Sequence, residues 1–197
     1  MASSRDQQIR SAARRVFARK GYENTNVEDV AAAAEVSKGT IYTYFDRKED
    51  LLGAVHHDLL DEMEGRIETV LASDRPPLEK IRVMLHDFVE VVGSHDEAAQ
   101  VMLDIWAAGM RHPERFDIDF GVLYADYRAL LRDLLAEAEA RGDVPDDLPP
   151  VTPALLIGAI DGVFLQWLLD PDALSFPEAA DDLIDLLYRG IETRGAS

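Results

Sequence analysis

The sequence contains no cysteine, which excludes disulfide bonds, thiolate metal sites and cysteine nucleophiles. Proline is absent from residues 1–75, and all nine prolines lie at or beyond position 76. No apolar segment typical of a secretory signal is visible near the N-terminus. The longest apolar run, residues 154–169, is interrupted by Asp161 and Gln166 and is shorter than a membrane span requires. These absences predict a cytoplasmic protein with no membrane partner.

Positive charge is scarce and unevenly distributed. The chain has 38 acidic and 20 basic residues, for a formal net charge of −18. Residues 1–50 hold nine bases and eight acids, whereas residues 51–197 hold eleven bases and thirty acids. This asymmetry indicates an anion-facing N-terminal segment on an acidic body. We interpret the acidity of the body as a contribution to solubility.

Apolar residues recur at helical spacing along most of the chain, and little of it alternates with period two, so an all-α fold is predicted. The N-terminal part reads as a helix over 5–20 that ends at Gly21, a second over 27–34 capped by Asn26, and a third from Ser37 to about residue 45. Longer helices follow, and the change from short to long helices predicts a domain boundary near residue 47. They are predicted over residues 77–92, 97–110, 114–141, 154–169 and 178–192, the fourth of them apolar enough to be buried on every side.

Two short capped helices joined by a tight turn predict a helix-turn-helix, whose second helix enters the major groove of DNA. At 100° per residue, Ile41 and Phe45 lie together and are expected to pack into the core. The opposite side carries small residues suited to close approach and to base edges. These are Gly39, Thr40 and Thr43.

Tyrosines flank that small-residue face. Tyr42 and Tyr44 fall on opposite sides of it, where their hydroxyls could reach phosphates on either side of the groove. Lys38 lies in the first turn and adds its charge to the positive helix N-terminus. The alternative interpretation is that Tyr42 or Tyr44 is a core aromatic with a satisfied hydroxyl.

Binding to DNA needs only a local positive patch, because electrostatic screening acts over about 8 Å at physiological salt. The net charge of the whole chain therefore does not exclude it. The bases that could form such a patch are Arg5, Arg10, Arg14, Arg15, Lys38, Arg47 and Lys48.

The runs 21–31, 34–45 and 48–51 closely resemble the N-terminal domain of TetR/AcrR-type transcriptional repressors, over about 45 residues and without gaps. The resemblance implies a repressor released from DNA by a small-molecule effector. Glu35 stands in the turn where the family usually has glycine, at a cost of roughly 1 kcal/mol, and Asn26 replaces a threonine or serine cap. The DNA contacts implied by the family pattern are Thr25, Lys38, Thr40, Tyr42, Thr43, Tyr44 and Lys48.

The resemblance further implies a DNA-binding domain over residues 1–47 and a ligand-binding and dimerisation domain over 48–197. The second domain would pair through its last two helices, so a homodimer on a palindromic double-stranded operator is expected. Gly158 and Gly162 share one face of an apolar helix and permit close helix approach, although packing within one chain explains such a pair equally well. The interface candidates are Gly158, Asp161, Gly162, Leu165, Leu183 and Leu187.

Methionine and aromatic side chains in the body are candidates for lining an adaptable apolar cavity. An apolar stripe at helical spacing is also typical of a core, and that alternative applies to each of them. Because the body has few bases to pair with an anion, an apolar or amphipathic effector is expected, and a cationic lipophile stays open. No cofactor and no metal are expected. The candidates are Met84, Phe88, Met102, Trp106, Met110, Phe120, Tyr124, Tyr127, Phe164 and Trp167.

Two other classes of protein remain open. The His-Asp pairs at 57–58, 86–87 and 95–96 suggest divalent-metal ligands and thus a phosphohydrolase. Because His56 and His57 are adjacent and point to different helix faces, and no metal-binding helical pair of known spacing occurs, we expect the chain not to be an enzyme. A helical adaptor without DNA contact is the second alternative.

Overall fold

The computed structural model describes residues 4–93, 96–111 and 119–191, without the side chains of residues 93–98, 100 and 191. These residues form nine α-helices and no strand, which confirms the all-α prediction. The helices are α1 (Ser4–Lys20), α2 (Val27–Ala33), α3 (Lys38–Tyr44), α4 (Lys48–Leu71), α5 (Pro77–Gly93), α6 (Asp96–Arg111), α7 (Phe120–Arg141), α8 (Thr152–Leu169) and α9 (Phe176–Ile191).

Most helix ends lie within two residues of their predicted positions, because local capping determines them. Gly21 ends α1 with a φ of 73°, and its N–H donates to the carbonyl of Phe17 at 2.7 Å. One prediction was too long. A helix over 114–141 is expected from the apolar spacing, but α7 begins at Phe120 and residue 119 is not helical, while residues 114–118 lie outside the described chain.

The chain divides into two compact units. The first unit comprises Met1–Glu62 with Val92–Phe120, and the second comprises Met63–Val91 with Gly121–Ser197. In the first unit α1 packs against both α2 and α6. Helix α6 therefore packs in the same compact unit as the N-terminal helices. The boundary after residue 47 between a DNA-binding and a ligand-binding domain stays a prediction.

The core of the first unit is built from the apolar faces of α1 to α4 and α6. Its fully buried side chains include Ile9, Phe17, Ile41 and Ile105. Ile41 is only 1% exposed, as the helical-wheel argument predicts. The short helices α2 and α3 are thus held by tertiary packing, since seven-residue helices are unstable alone.

The second unit is a helical bundle in which α8 packs against α9. Phe164 of α8 is fully buried and lies against three rings, with centroid distances of 6.4 Å to Phe88, 6.0 Å to Trp167 and 5.3 Å to Phe176. The α5 and α9 helices are joined by polar contacts, including the Tyr188 hydroxyl, which donates to the carbonyl of Leu78.

Helix α8 is not buried on every side within one chain, so that prediction was wrong for the isolated protomer. Its exposed side chains include Leu155, Leu165 and Leu169, with exposures of 57%, 43% and 76%. The helices of one protomer cover only the opposite face, which carries the buried Leu156, Ile160 and Phe164.

By length and composition alone, α8 could also cross a membrane, with 18 residues and a mean hydropathy of 1.5. The sequence estimate of its length was short because α8 begins at Thr152, two residues before the apolar run. Of the described helices it alone passes this test, which core helices of soluble proteins also pass.

Candidate nucleic-acid interface and effector-binding residues

The helix-turn-helix consists of α2, a four-residue turn and α3, and both helices carry the predicted caps. The Asn26 side chain accepts a hydrogen bond from the N–H of Asp29 at 2.8 Å, while the Asp29 carboxylate accepts one from the N–H of Asn26 at 3.1 Å. The Ser37 hydroxyl accepts one from the N–H of Thr40 at 3.0 Å. These bonds satisfy backbone donors at each helix start and fix where α3 begins.

The turn between α2 and α3 is held in a left-handed conformation at Glu35, whose φ is 53°. The N–H of the next residue, Val36, donates to the carbonyl of Ala31 at 3.0 Å. From α1, the Gln8 amide donates to the carbonyl of Ala34 at 2.8 Å. The turn is therefore fixed from both sides even though its left-handed position is not a glycine.

We expect Glu35→Gly to raise the free energy of unfolding by about 0.5–1 kcal/mol, because glycine adopts positive φ without steric cost. Urea unfolding monitored by circular dichroism measures it. The control is Glu35→Ala, which removes the carboxylate but keeps the β-carbon and should give no such gain. Equal stabilisation by both variants would assign the effect to the carboxylate instead.

The exposed side of α3 carries small residues. Gly39 and Thr43 are exposed and Thr40 is half-buried, opposite the buried Ile41 and Phe45. The Thr43 hydroxyl donates to the carbonyl of Gly39 at 3.1 Å, which leaves its methyl group and hydroxyl oxygen at the surface. A β-carbon added at Gly39 would approach only the Ser37 hydroxyl, at 3.7 Å. This surface can approach a groove closely.

Both tyrosines of α3 lie on the surface rather than in the core. Tyr42 is 46% exposed and Tyr44 is 42% exposed, so the core alternative is wrong for both. Lys38 forms an ion pair with Glu28, and its ammonium lies 5.7 Å from the centre of the Tyr42 ring. The hydrogen bond to Glu28 and its charge raise the pKa of Lys38. An acid of α2 therefore orients this lysine.

Two residues implied by the family pattern make structural contacts within the chain. Thr25 is 3% exposed, and its hydroxyl donates to the carbonyl of Gly21 at 2.8 Å. The Lys48 ammonium donates to the carbonyls of Tyr22 and Thr25 at 2.8 and 2.9 Å and lies 4.1 Å from the centre of the Tyr22 ring. Lys48 thereby fastens the start of α4 to the α1–α2 loop, and a direct DNA contact by either residue stays a prediction.

Three of the seven bases predicted to form a positive patch pair with acids of the first unit, namely Arg10, Lys38 and Arg47. Arg10 bonds to Asp6 at 3.0 Å and to Asp58 at 3.3 Å and lies over the Phe45 ring, so it stabilises the core. Arg47 pairs with Asp50 at 3.4 Å. Arg14 is half-buried and Arg15 is exposed, and neither side chain has a hydrogen-bond or ion-pair partner among the residues described.

One contact that sequence reasoning missed joins α6 to the α1–α2 loop. The Asp104 carboxylate accepts a hydrogen bond from the N–H of Tyr22 at 2.7 Å. Burial raises the pKa of Asp104, while that hydrogen bond lowers it. No sequence pattern distinguishes Asp104 from the other acids of the body, since its partner is 82 positions away.

The predicted effector-binding residues fall in both units. In the second unit, Phe88, Phe164 and Trp167 come together, joined by Phe176, which was not predicted and stacks on Trp167 at 5.5 Å. In the same unit the Tyr124 hydroxyl donates to Asp161 at 2.9 Å, and Met84 and Tyr127 are half-buried.

The other four predicted residues lie in the first unit. Met102 and Phe120 pack against its core, Trp106 is half-buried, and Met110 is 73% exposed. Gly109 lies against the Phe120 ring so closely that an added β-carbon would clash with it. Within its own unit, Phe120 is thus a packing residue. A role for any of the ten in effector binding stays a prediction.

Three of the six predicted interface residues lie on the exposed stripe of α8, namely Gly158, Gly162 and Leu165, and Asp161 is half-buried beside it. A β-carbon added at Gly158 or Gly162 would meet no atom within 4 Å, so packing within the described chain does not explain these glycines. Leu165 is exposed, and Leu183 and Leu187 of α9 are half-buried. Exposed apolar residues that extend the stripe were missed, although their helical spacing was visible in the sequence. They are Leu155, Leu169 and, on α9, Leu186.

Of the histidine pairs, the one at 86–87 contacts a further acid, since His86 Nδ1 lies 3.0 Å from the Asp181 carboxylate. Among the described residues, no group of three histidine or acidic side chains is placed to hold a metal ion, and the pair at 95–96 lies outside the side chains described. His56 is 1% exposed, and its Nδ1 has no hydrogen-bond partner in the part of the chain that the structure describes. Burial lowers the pKa of His56 to about 4.

A capped helix-turn-helix with an exposed face on its second helix is typical of a DNA-binding protein, and comparison with known families extends this to a ligand-responsive transcriptional repressor. Residues 9–55 match the bacterial regulatory proteins of the tetR family, and residues 77–190 match the C-terminal part of the BetI-type transcriptional repressors. The chain therefore belongs to the TetR family of transcriptional regulators, as the sequence resemblance predicted. TetR-family regulators are soluble DNA-binding proteins.

Similar proteins are themselves transcriptional regulators. The chain is 24% identical over 189 residues to the fatty acid metabolism regulator protein of Bacillus subtilis, covering 95% of each. It is 29% identical over 187 residues to the nicotine-responsive transcriptional repressor HdnoR of Paenarthrobacter nicotinovorans, covering 92% of each. In fold it is similar to a TetR transcription regulator from Haloarcula marismortui, with a TM-score of 0.84 at 19% identity over 98% of this chain and 100% of that one.

Proposed function

We propose that the protein acts in the cytoplasm as a homodimer that binds a palindromic operator and leaves it when a small apolar or amphipathic effector binds the helical body. The observation that carries the proposal is the surface of α3. It presents Gly39 and Thr43 beside the exposed Tyr42 and Tyr44, while Ile41 anchors the helix in the core. A two-fold dimer would place two such helices in successive major grooves.

Pairing through α8 and α9 is supported by their exposed apolar stripes. Leu155, Leu165 and Leu169 border Gly158 and Gly162 on one face, and Leu186 of α9 is 66% exposed. Contiguous apolar surface of this kind marks an interaction site, and a self-complementary stripe suits a two-fold contact. The glycines would let the two copies of α8 approach closely.

The helical body supplies the effector site in this proposal. Its aromatic cluster around Phe164 is apolar, and the excess of acids over bases in residues 51–197 disfavours an anionic effector. An effector can release DNA only if it binds more tightly to the arrangement that does not fit the operator, a preference of about 1–3 kcal/mol in typical cases.

Selection of bound sequences from random duplexes, followed by affinity measurements on variants, tests the DNA-binding role. We expect Tyr42→Ala to weaken binding to all sequences by about the same factor, roughly fivefold for one hydrogen bond of about 1 kcal/mol. Thr43→Ala should instead change the preferred base at one position of each half-site. The two variants differ because one loses a backbone contact and the other a base contact.

The control is Ala32→Ser, a small change at an exposed position of α2 that should leave affinity and preference unchanged. Equal, sequence-blind losses from the Tyr42 and Thr43 variants would refute the division of roles between them. Selection that enriches no palindrome would refute the operator, and failure of the wild type to bind any duplex would favour an adaptor.

A further inference from the structure

Glu28 of α2 and Lys38 of α3 form an ion pair that joins the two helices of the helix-turn-helix. Their side chains are 57% and 49% exposed. The neighbouring acid, Asp29, has a structural role, because its carboxylate accepts the N–H of Asn26 and pairs with Lys20 at 2.6 Å. An ion pair between exposed side chains contributes little to stability. The stability of the fold therefore accounts for Asp29 better than for Glu28.

Glu28 lies beside the surface that the proposed function assigns to DNA. Its partner Lys38 precedes the exposed Gly39 on α3, and the Lys38 ammonium is 5.7 Å from the centre of the Tyr42 ring. The hydrogen bond from Lys38 lowers the pKa of Glu28, so its carboxylate is charged at neutral pH. Phosphates within the screening length of about 8 Å repel that charge at physiological salt. An acid at this place weakens binding to DNA unless a donor on a base satisfies it.

The ion pair presents a hydrogen-bond donor and an acceptor at adjoining positions. In the major groove a G·C base pair offers the complementary pattern, because guanine O6 and N7 accept and the cytosine N4 amino group donates. Lysine is a common partner of guanine O6 and N7, and glutamate accepts from cytosine N4. In an A·T pair the purine offers a donor at the position of O6, and the pyrimidine offers an acceptor beside a methyl group. Neither charged group then finds its partner.

We propose that Glu28 and Lys38 together read one G·C base pair in each operator half-site, Lys38 donating to guanine and Glu28 accepting from the cytosine amino group. This inference rests on the proposed function and adds a specificity-determining residue, Glu28, on the helix that precedes the recognition helix. At any other base pair the carboxylate stays unsatisfied and repels the DNA backbone, so Glu28 lowers the affinity for incorrect sequences. The ion pair also restrains Lys38 from binding phosphates of any sequence.

Affinities for a series of operators, each changed at one position of both half-sites, test this inference. The operator comes from the selection on random duplexes, and fluorescence anisotropy of the full-length protein measures each dissociation constant. The wild type should have a position at which G·C binds at least about tenfold more tightly than A·T. Glu28→Gln should reduce that ratio to below about threefold, because glutamine can donate as well as accept and also suits adenine. Lys38→Met should reduce the ratio at the same position, because the two side chains act as a pair.

The control is Glu68→Gln, the same chemical change at an exposed position of α4, which should keep the wild-type ratio. Circular dichroism should show the wild-type helix content for all three variants, because each replaced side chain is exposed. The inference is overturned if the wild type has no such G·C position or if Glu28→Gln keeps the preference while it tightens binding to every duplex alike. It is also overturned if Lys38→Met changes a different position.

The same measurements separate this inference from the function on which it rests. A palindrome that is bound with base preferences independent of Glu28 refutes only the role of the ion pair. A wild type that binds no duplex refutes the proposed function.

Discussion

Leu165→Asp is expected to convert the dimer to a monomer and to weaken binding to the palindromic operator by about 100-fold or more. Leu165 is 43% exposed on the apolar stripe of α8, between Gly162 and Leu169. In the proposed dimer the aspartate would be buried against its own copy, and an unpaired buried charge is strongly unfavourable. Each separated helix-turn-helix would then lose the high effective concentration that its partner provides, and this raises the affinity for a palindrome by a factor of about 10²–10⁴.

Sedimentation velocity and titration of a fluorescent operator measure the two effects. A duplex with one half-site is the internal reference, because the monomer should bind it as the wild-type monomer does. The matched control is Ala136→Asp on the exposed face of α7, which adds the same charge away from the stripe. If Leu165→Asp sediments as a dimer with unchanged affinity, the stripe of α8 is not the interface.

His56→Leu is expected to stabilise the protein, and by more at acidic pH. At pH 7.5 the gain should be about 1 kcal/mol, because leucine removes a buried nitrogen that has no described partner. The pKa of His56 is lowered to about 4 by burial, whereas the unfolded value is near 6.5. As the pH falls below 6.5, His56 binds a proton in the unfolded wild type but stays uncharged in the folded form, so the wild type loses stability.

Between pH 7.5 and pH 5 this proton uptake should add about 2 kcal/mol to the advantage of the leucine variant. Urea unfolding at both pH values, at one protein concentration, measures the change. Titrating groups common to both proteins contribute equally and cancel when the two free energies of unfolding are subtracted. His57→Gln, an exposed change one position along α4, controls for loss of an imidazole. A stability difference that is the same at both pH values would contradict the buried, uncharged state of His56.

The helix-turn-helix was largely predictable from the sequence because the interactions that determine it are local. Asn26 with Asp29, Ser37 with Thr40 and the Gly21 cap each act within four residues, and a local rule suffices for each. The same holds for Ile41, whose burial follows from helix periodicity alone. The left-handed turn at Glu35 was recognisable only from the family pattern, since the residue itself disfavours that conformation.

Contacts between distant segments were not predictable in this way. Lys48 was assigned to DNA, but its ammonium binds carbonyls of the α1–α2 loop, and only tertiary structure brings these together. The Asp104 contact with Tyr22 and the isolated Nδ1 of His56 likewise depend on packing between helices far apart in sequence. The exposed stripe of α8 was obscured because a uniformly apolar helix gives no indication of which face its own chain covers.

The two polar contacts on the α1–α2 loop have a mechanical consequence. Asp104 of α6 holds the amide of Tyr22, and Lys48 of α4 holds its carbonyl, so both sides of one peptide segment are tied to longer helices. Because the N–H and the carbonyl of Tyr22 are both held, the α1–α2 loop is restrained against α6 and the beginning of α4, so the helix-turn-helix is expected to move together with these two helices. A displacement of α6 or the beginning of α4 would therefore change the angle of the recognition helix α3 without deforming α3 itself.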